Sequence, residues 1–181
     1  MTKITKYNEG VIAIANFLTI SECRKIIFDS NKLGFEQATV NSGNSQELDQ
    51  SVRNNNRVHF YNSSLSNKLY RRIYQFLPKQ LNGWIPIGLN ERFRFYQYNA
   101  GEYFKWHQDD TYVKGPGVES RYTFLIYLND DYEGGGTEFE SFTVTPVTGT
   151  AVLFPNNLNH QGSEIDFGTK YAIRTDIMYQ E

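Results

Sequence analysis

Very little in this chain could close a disulfide, cross a bilayer or grip a phosphate backbone. Its 181 residues include one cysteine, Cys23, so no internal disulfide can form and the composition suits a reducing compartment. Its place among apolar neighbours at helical spacing makes Cys23 a core residue. No apolar run approaches the roughly 20 residues of a membrane-spanning helix. The only N-terminal candidate, Val11 to Leu18, is too short, and Lys3, Lys6 and Glu9 precede it. Ala13-Ile14-Ala15 resembles a signal-cleavage site only superficially, because no hydrophobic stretch leads into it. We expect Val11 to Leu18 to be a buried strand, and the protein to be soluble and cytoplasmic with no membrane partner. Lys and Arg number 18 against 20 Asp and Glu, a net charge of −2. With no basic run either, the electrostatic footprint of a nucleic-acid binder is missing. Nor is there a Gly-x-Ser-x-Gly elbow or a catalytic cysteine context to support nucleophilic catalysis.

What is plentiful is aromatic surface and glycine: 13 Tyr, 13 Phe and 14 Gly. That balance suits many short strands joined by tight turns more than a helical bundle. The length fits one domain with a full hydrophobic core. The polarity pattern divides it into a helical support with a long polar loop over residues 1–90 and a β core over residues 91–181.

Thr19-Ile20-Ser21-Glu22 has capping-box spacing, and Cys23, Ile26, Ile27 and Leu33 follow at helical period until Gly34. A second helix is expected from Ser64 to Leu77, with Leu65, Leu69, Ile73, Phe76 and Leu77 on one side and Pro78 as its stop. Between them, Val40 to Asn56 has almost no large apolar residue. It reads as a long surface loop, either disordered or a lid. From Arg92 the period changes to two. Phe93, Phe95 and Gln97 share one face of a strand, and Arg94, Tyr96 and Tyr98 share the other. Tyr122 to Leu128, Phe142 to Val147, Thr150 to Phe154 and Tyr171 to Tyr179 read as further strands, with a forced turn at Gly134-Gly135-Gly136.

Histidine is scarce, and two of the three fall into one pattern: His107-Gln108-Asp109 and His160. Two neutral imidazoles and a carboxylate hold a divalent iron on one face and leave other positions open. A closed structural zinc site would need a fourth protein ligand. Spacing i and i+2 sets His107 and Asp109 on one side of a strand or extended edge. His59, between Val58 and Phe60, reads as a half-exposed strand residue outside this site.

Taken in order, Tyr98-Asn99-Ala100-Gly101-Glu102-Tyr103-Phe104, His107-Gln108-Asp109, Ile126-Tyr127-Leu128-Asn129, Gly134-Gly135-Gly136-Thr137, Pro146 to Gly149, Leu153-Phe154, His160 and Gly168-Thr169-Lys170-Tyr171 resemble the prolyl 4-hydroxylase-like branch of the iron(II)/2-oxoglutarate-dependent dioxygenases. The resemblance covers roughly the C-terminal half. It implies a mainly β fold with supporting helices, a double-stranded β-helix (jelly-roll, cupin-like) barrel forming a single dioxygenase domain over residues 1–181. It implies Fe(II) on His107, Asp109 and His160, with no other catalytic residue. It also implies 2-oxoglutarate held through its far carboxylate by Lys170, with Tyr98, Thr137 and Tyr127 as hydrogen-bond partners and Arg174 as the alternative anchor. A buried carboxylate needs such a charge partner and donors. One departure stands out: six residues beyond the basic anchor, where prolyl hydroxylases usually carry tryptophan, this chain has Asp176. A carboxylate there, beside Arg174, would face the substrate and suit a hydroxyl or a cation better than a proline ring.

The activity so implied is hydroxylation of an unactivated C–H bond, using dioxygen and 2-oxoglutarate and stimulated by ascorbate. The first substrate expectation is a prolyl or other residue of a peptide or protein. A free amino acid or small metabolite is the alternative, and so is a metal-binding sensor module of the same fold without turnover.

Overall fold

The Thr19 box closes as the spacing requires: Thr19 Oγ1 accepts from the Glu22 N–H at 3.1 Å, and the Glu22 carboxylate accepts from the Thr19 N–H at 3.0 Å. Helix α1 then runs Ile20–Leu33 and ends at Gly34, whose φ of 78° is a conformation glycine adopts without strain. Helix α2, Ser63–Ile73, is capped by the Asn62 side chain and passes into a single 3-10 turn, Tyr74–Phe76, before Pro78. Glu22 ties the two helices, with Arg72 at 2.8 Å and Lys68 at 3.1 Å. The computed structural model describes residues 3–42 and 45–181. Among these residues no helix is long and apolar enough to cross a membrane.

Everything else is built on β-sheet. A ten-stranded sheet has the antiparallel centre Ala151–Pro155, Val118–Tyr127, Thr169–Gln180, Arg92–Asn99 and Asn56–Tyr61, in that spatial order. The expected N-terminal strand is shorter than the apolar run. Only Ile12–Ile14 pairs, between Ile4–Lys6 and Ala151–Pro155, before the chain turns at Asn16 with φ 56°. A smaller four-stranded sheet has the order Phe142–Val144, Thr137–Phe139, His160–Gly162, Phe104–His107.

Strand alternation sorts the side chains into two cores. Phe93, Phe95, Tyr122, Phe124, Ile126, Ile173 and Ile177 point toward the helices and bury with Cys23, Leu69 and Ile73. Their neighbours in sequence, including Tyr127, Val152 and Phe154, point the other way and pack with Phe139 and Val144 of the small sheet. The functional residues therefore project into the space between two sheets. The glycine turn closes it at one side. Gly135 has φ 66°, and a Cβ there would lie 2.4 Å from Ile165 Cδ1.

The segment Val40 to Asn56 departs from its reading as a polar loop without structure. Val40–Ser42 pairs with Ser45–Glu47 as a hairpin, while Gly43 and Asn44 at its tip lie outside the described residues. Further on, Arg53 and Asn55 are buried. Arg53 donates twice to Asn55 Oδ1, at 2.8 and 3.0 Å, and lays its guanidinium 3.9 Å from the Phe104 ring centre. Low hydrophobicity did not keep this segment out of the interior, because hydrogen bonds and an aromatic face compensate the buried cation.

Candidate active site

The small sheet solves the problem of bringing a distant histidine back. His160 and His107 are direct partners across adjacent strands, with ring centres 4.3 Å apart. Asp109 stands just past the end of its strand. Its N–H donates to Asn156 O at 2.9 Å, and its carboxylate accepts from Thr123 Oγ1 of the large sheet. One ligand atom from each of His107, Asp109 and His160 falls within 4.8 Å of the other two.

The imidazoles are oriented for lone-pair donation. Their Nδ1 atoms are bonded to the carbonyls two residues back, His107 to Lys105 O at 2.7 Å and His160 to Leu158 O at 2.8 Å. That assigns the proton to Nδ1 and leaves each Nε2 lone pair, 3.7 Å from an Asp109 oxygen, turned to the shared centre. Burial, then the neighbouring His160, pushes His107 down to about 3, so it is neutral at physiological pH; burial lowers His160 as well. Burial alone would raise Asp109, but Arg174 and the two histidines outweigh it and hold the carboxyl at about 2. Two neutral imidazoles and an ionised carboxylate are the donor set of a non-haem iron centre, and they could hold such a metal.

The triad shares one narrow cavity with Lys170, Tyr98 and Thr137. Lys170 is buried, and among the described residues its one side-chain hydrogen bond is Nζ donating to Gly135 O at 2.6 Å. An ammonium has three donors, so two remain for an incoming carboxylate. Desolvation pushes Lys170 down to about 7. Tyr127 differs from its expected place: it is fully buried and does not line the cavity. It stands behind Thr137, donating its hydroxyl to Thr137 Oγ1 at 2.7 Å, and so orients that residue.

Residues 93–175 match the 2OG-Fe(II) oxygenase superfamily. That stretch is a 2OG-Fe(II) oxygenase domain. Among proteins with curated descriptions, none matches the sequence. Among solved structures, a Trichoplax adhaerens prolyl hydroxylase in complex with a hypoxia inducible factor peptide fragment superposes with TM-score 0.73. It is 18% identical, over 94% of this chain and 84% of that one. The Pseudomonas putida prolyl-4-hydroxylase gives 0.67 at 15% identity, over 94% and 92%. The viral collagen prolyl hydroxylase of Paramecium Bursaria Chlorella virus-1 in its 2OG complex gives 0.65 at 20%, over 94% and 96%. The oxygenase thus has a prolyl-hydroxylase-like jelly-roll fold, mainly β with supporting helices.

In this oxygenase Asp176 is set back from the open space around the triad. It lies on the inner face with Lys170, Ala172 and Arg174, but it is completely buried and lines neither the narrow cavity nor a larger one beyond the triad. Arg94 Nη1 is 3.2 Å away, Arg174 Nη2 3.3 Å, and Asn90 Nδ2 donates to it at 3.0 Å. Alternation sets the face of a strand residue but not its depth, and two guanidiniums close over this carboxylate. Arg174 does reach the site and lines both cavities. Its Nη1 is 3.0 Å from Asp109 Oδ1, so it is already engaged by two carboxylates, whereas Lys170 has none within 4 Å among the described residues.

Beyond the triad the oxygenase opens into a cavity of about 840 Å³, walled by the hairpin at Val40 and Asn41 and by Arg53, Arg57, Arg92 and Arg94. Asn41 also hydrogen-bonds Asp110, joining the hairpin to the loop that carries Asp109. Sequence reading had missed Arg53 and Phe104. Phe104 stacks on the His107 ring with centroids 3.5 Å apart, and the Arg53 guanidinium lies 3.9 Å from the same Phe104 ring. Spacing i, i+3 within Phe104 to His107 was visible, but the stacking was not.

Proposed function

We propose that this oxygenase hydroxylates an unactivated C–H bond of a residue, prolyl or other, within a peptide. His107, Asp109 and His160 hold Fe(II), and Lys170 holds the far carboxylate of 2-oxoglutarate, with hydroxyl support from Tyr98 and Thr137. The observation that carries this reading is the shared wall. His107, Asp109, Phe104, Tyr96 and Arg174 line both the narrow cavity of Lys170 and the large one beyond. Cosubstrate and substrate can thus approach one metal from two sides. The whole chain acts as one dioxygenase domain, with residues 1–90 supporting residues 91–181.

When bound, the metal and 2-oxoglutarate supply the oxidising chemistry, with succinate as the by-product. The residues of the chain position and exclude. The Lys105 and Leu158 carbonyls fix both imidazoles in one tautomer, and Thr123 with the Asn156 carbonyl fixes Asp109. Phe154 and Phe139 pack against His160 with ring centres 4.6 and 6.0 Å away, which keeps water from that side. The peptide reading is supported by the fold shared with the Trichoplax hydroxylase, which is in complex with a peptide fragment.

The test is a mass-spectrometric screen of peptides and small molecules with iron, 2-oxoglutarate and ascorbate, reading succinate together with a gain of one oxygen atom. We expect both, and both should require iron. No succinate under any condition would favour a metal-binding sensor module instead.

A further inference from the structure

The large cavity beside the triad is lined by more arginine than its own carboxylates compensate. In the inner face of the ten-stranded sheet, Arg174, Arg94 and His59 are direct partners across three adjacent strands, and Tyr96 partners Arg57 in the next row. Arg92 continues the row on the Arg94 strand, on the same face. Like charges directly opposite one another across a sheet are destabilising. Asp176 and Asp109 relieve part of this ladder by pairing with Arg94 and Arg174. They do not relieve the rest. Glu36 is the cross-strand partner of Arg57 and lines the same cavity, but it makes no ion pair with it: among the described residues neither Arg57 nor Arg92 has a carboxylate within 4 Å. Among the described residues the Arg57 side chain donates only to the neutral Thr39 hydroxyl at 2.9 Å, and the buried Nε of Arg92 has no hydrogen-bond partner. A positive field of this kind leaves its mark on His59, which burial and then Arg57, Arg92 and Arg94 push down to about 4. Partly buried guanidiniums without counter-ions are costly, and a fixed fork of donors aimed into a cavity matches carboxylate and phosphate oxygens.

We propose that the substrate of this oxygenase carries an anionic group, a carboxylate or a phosphate ester, and that Arg57 and Arg92 receive it while Arg94, held by Asp176, orients the wall. The inference rests on the oxygenase reading, since it places the anion beside the same triad. It also reverses the expectation drawn from Asp176 in the sequence: the wall offers cations to the substrate, not a carboxylate.

The experiment uses the full chain and separates the two claims. Succinate release by the wild-type protein with iron and 2-oxoglutarate tests the oxygenase. Independently of turnover, calorimetry follows the binding of phosphoserine and of aspartate, both N-acetylated and with the α-carboxyl amidated, with the N-acetyl amides of serine and asparagine as neutral counterparts. We expect one or both anions to bind at least about ten-fold tighter than the neutral partner, the size of one charge-assisted hydrogen bond. Arg57→Gln and Arg92→Gln should each remove about ten-fold of that affinity, and Arg57→Lys should restore part of it. In the wild type, raising the salt should weaken the anion and leave the neutral probe unchanged, which needs no variant to fold. A preference for the phosphoserine probe assigns a phosphate ester, and a preference for the aspartate probe a carboxylate. Equal binding of charged and neutral probes overturns the proposal. So does anion binding that is lost in Lys170→Ala but kept in Arg57→Gln, since the probe would then sit in the cosubstrate cavity. Anion selectivity without any succinate would sink the oxygenase reading and leave the anion site standing.

Discussion

Arg174 places Nη1 3.0 Å from Oδ1 of Asp109, so a permanent cation shares the carboxylate that the two histidines face. The arginine keeps Asp109 ionised and aimed, and it is itself retained because a second carboxylate, Asp176, holds its other nitrogen at 3.3 Å. The consequence is a division of labour between two basic residues of one strand: Arg174 serves the triad, and Lys170 is left free for a ligand.

Removing any one of His107, Asp109 or His160 should therefore abolish iron-dependent succinate formation, since two ligands hold the metal far less firmly than three. The measurement is iron content by metal analysis alongside 2-oxoglutarate decarboxylation for each alanine variant. Substantial turnover in all three would rule this site out.

Lys170→Ala should raise the 2-oxoglutarate requirement at least about ten-fold, corresponding to roughly 1.5–3 kcal/mol for a charge-assisted hydrogen bond, with iron retained. Binding of 2-oxoglutarate to the iron-loaded protein under anaerobic conditions reads this directly. An unchanged affinity in Lys170→Ala would move the anchor elsewhere.

The same lysine gives a pH dependence with a defined sign. Its folded value of about 7 lies below its ordinary 10.5, so between those values the unfolded chain binds more protons and stability rises with pH. Below about 7 the penalty for burying the ammonium is present in full. A bound carboxylate favours the ammonium, so binding 2-oxoglutarate at about pH 8.5 should take up a proton, and affinity should fall as pH rises above 7. Calorimetry in two buffers of different ionisation enthalpy measures the uptake. Identical heats in both would mean that Lys170 is not the group being charged.

Asp176→Asn should act on stability. It leaves Arg94 and Arg174 beside an uncharged group in a fully buried position, and breaking one side of a buried pair costs about 3–5 kcal/mol. A lowered urea midpoint with an unchanged slope is the expected result. A variant as stable as the wild type, with altered substrate preference, would return Asp176 to the cavity.

Features that depend on residue type and local period were legible before the fold was known. The Thr19 capping box, the first helix and the Arg92 strand with its two faces follow from short-range rules and formed where those rules put them, while the second helix, expected to run to Leu77, ends at Ile73 and passes into a 3-10 turn. The grouping of His107, Asp109 and His160 was legible too, because the scarcity of histidine and the chemistry of the donor set left few other choices. How far each inward side chain reaches, and what stands in front of it, came from the packing of the sheets. Asp176 and Arg174 share a face, yet one is sealed and the other lines both cavities. Tyr127 is screened by Thr137. Arg53, in a stretch too polar to read as core, is buried against Phe104. The arginine ladder arises from the register that sets Arg94 between Arg174 and His59. Pairing between strands far apart in the chain is settled by the packing of whole sheets, which no local pattern of residues encodes.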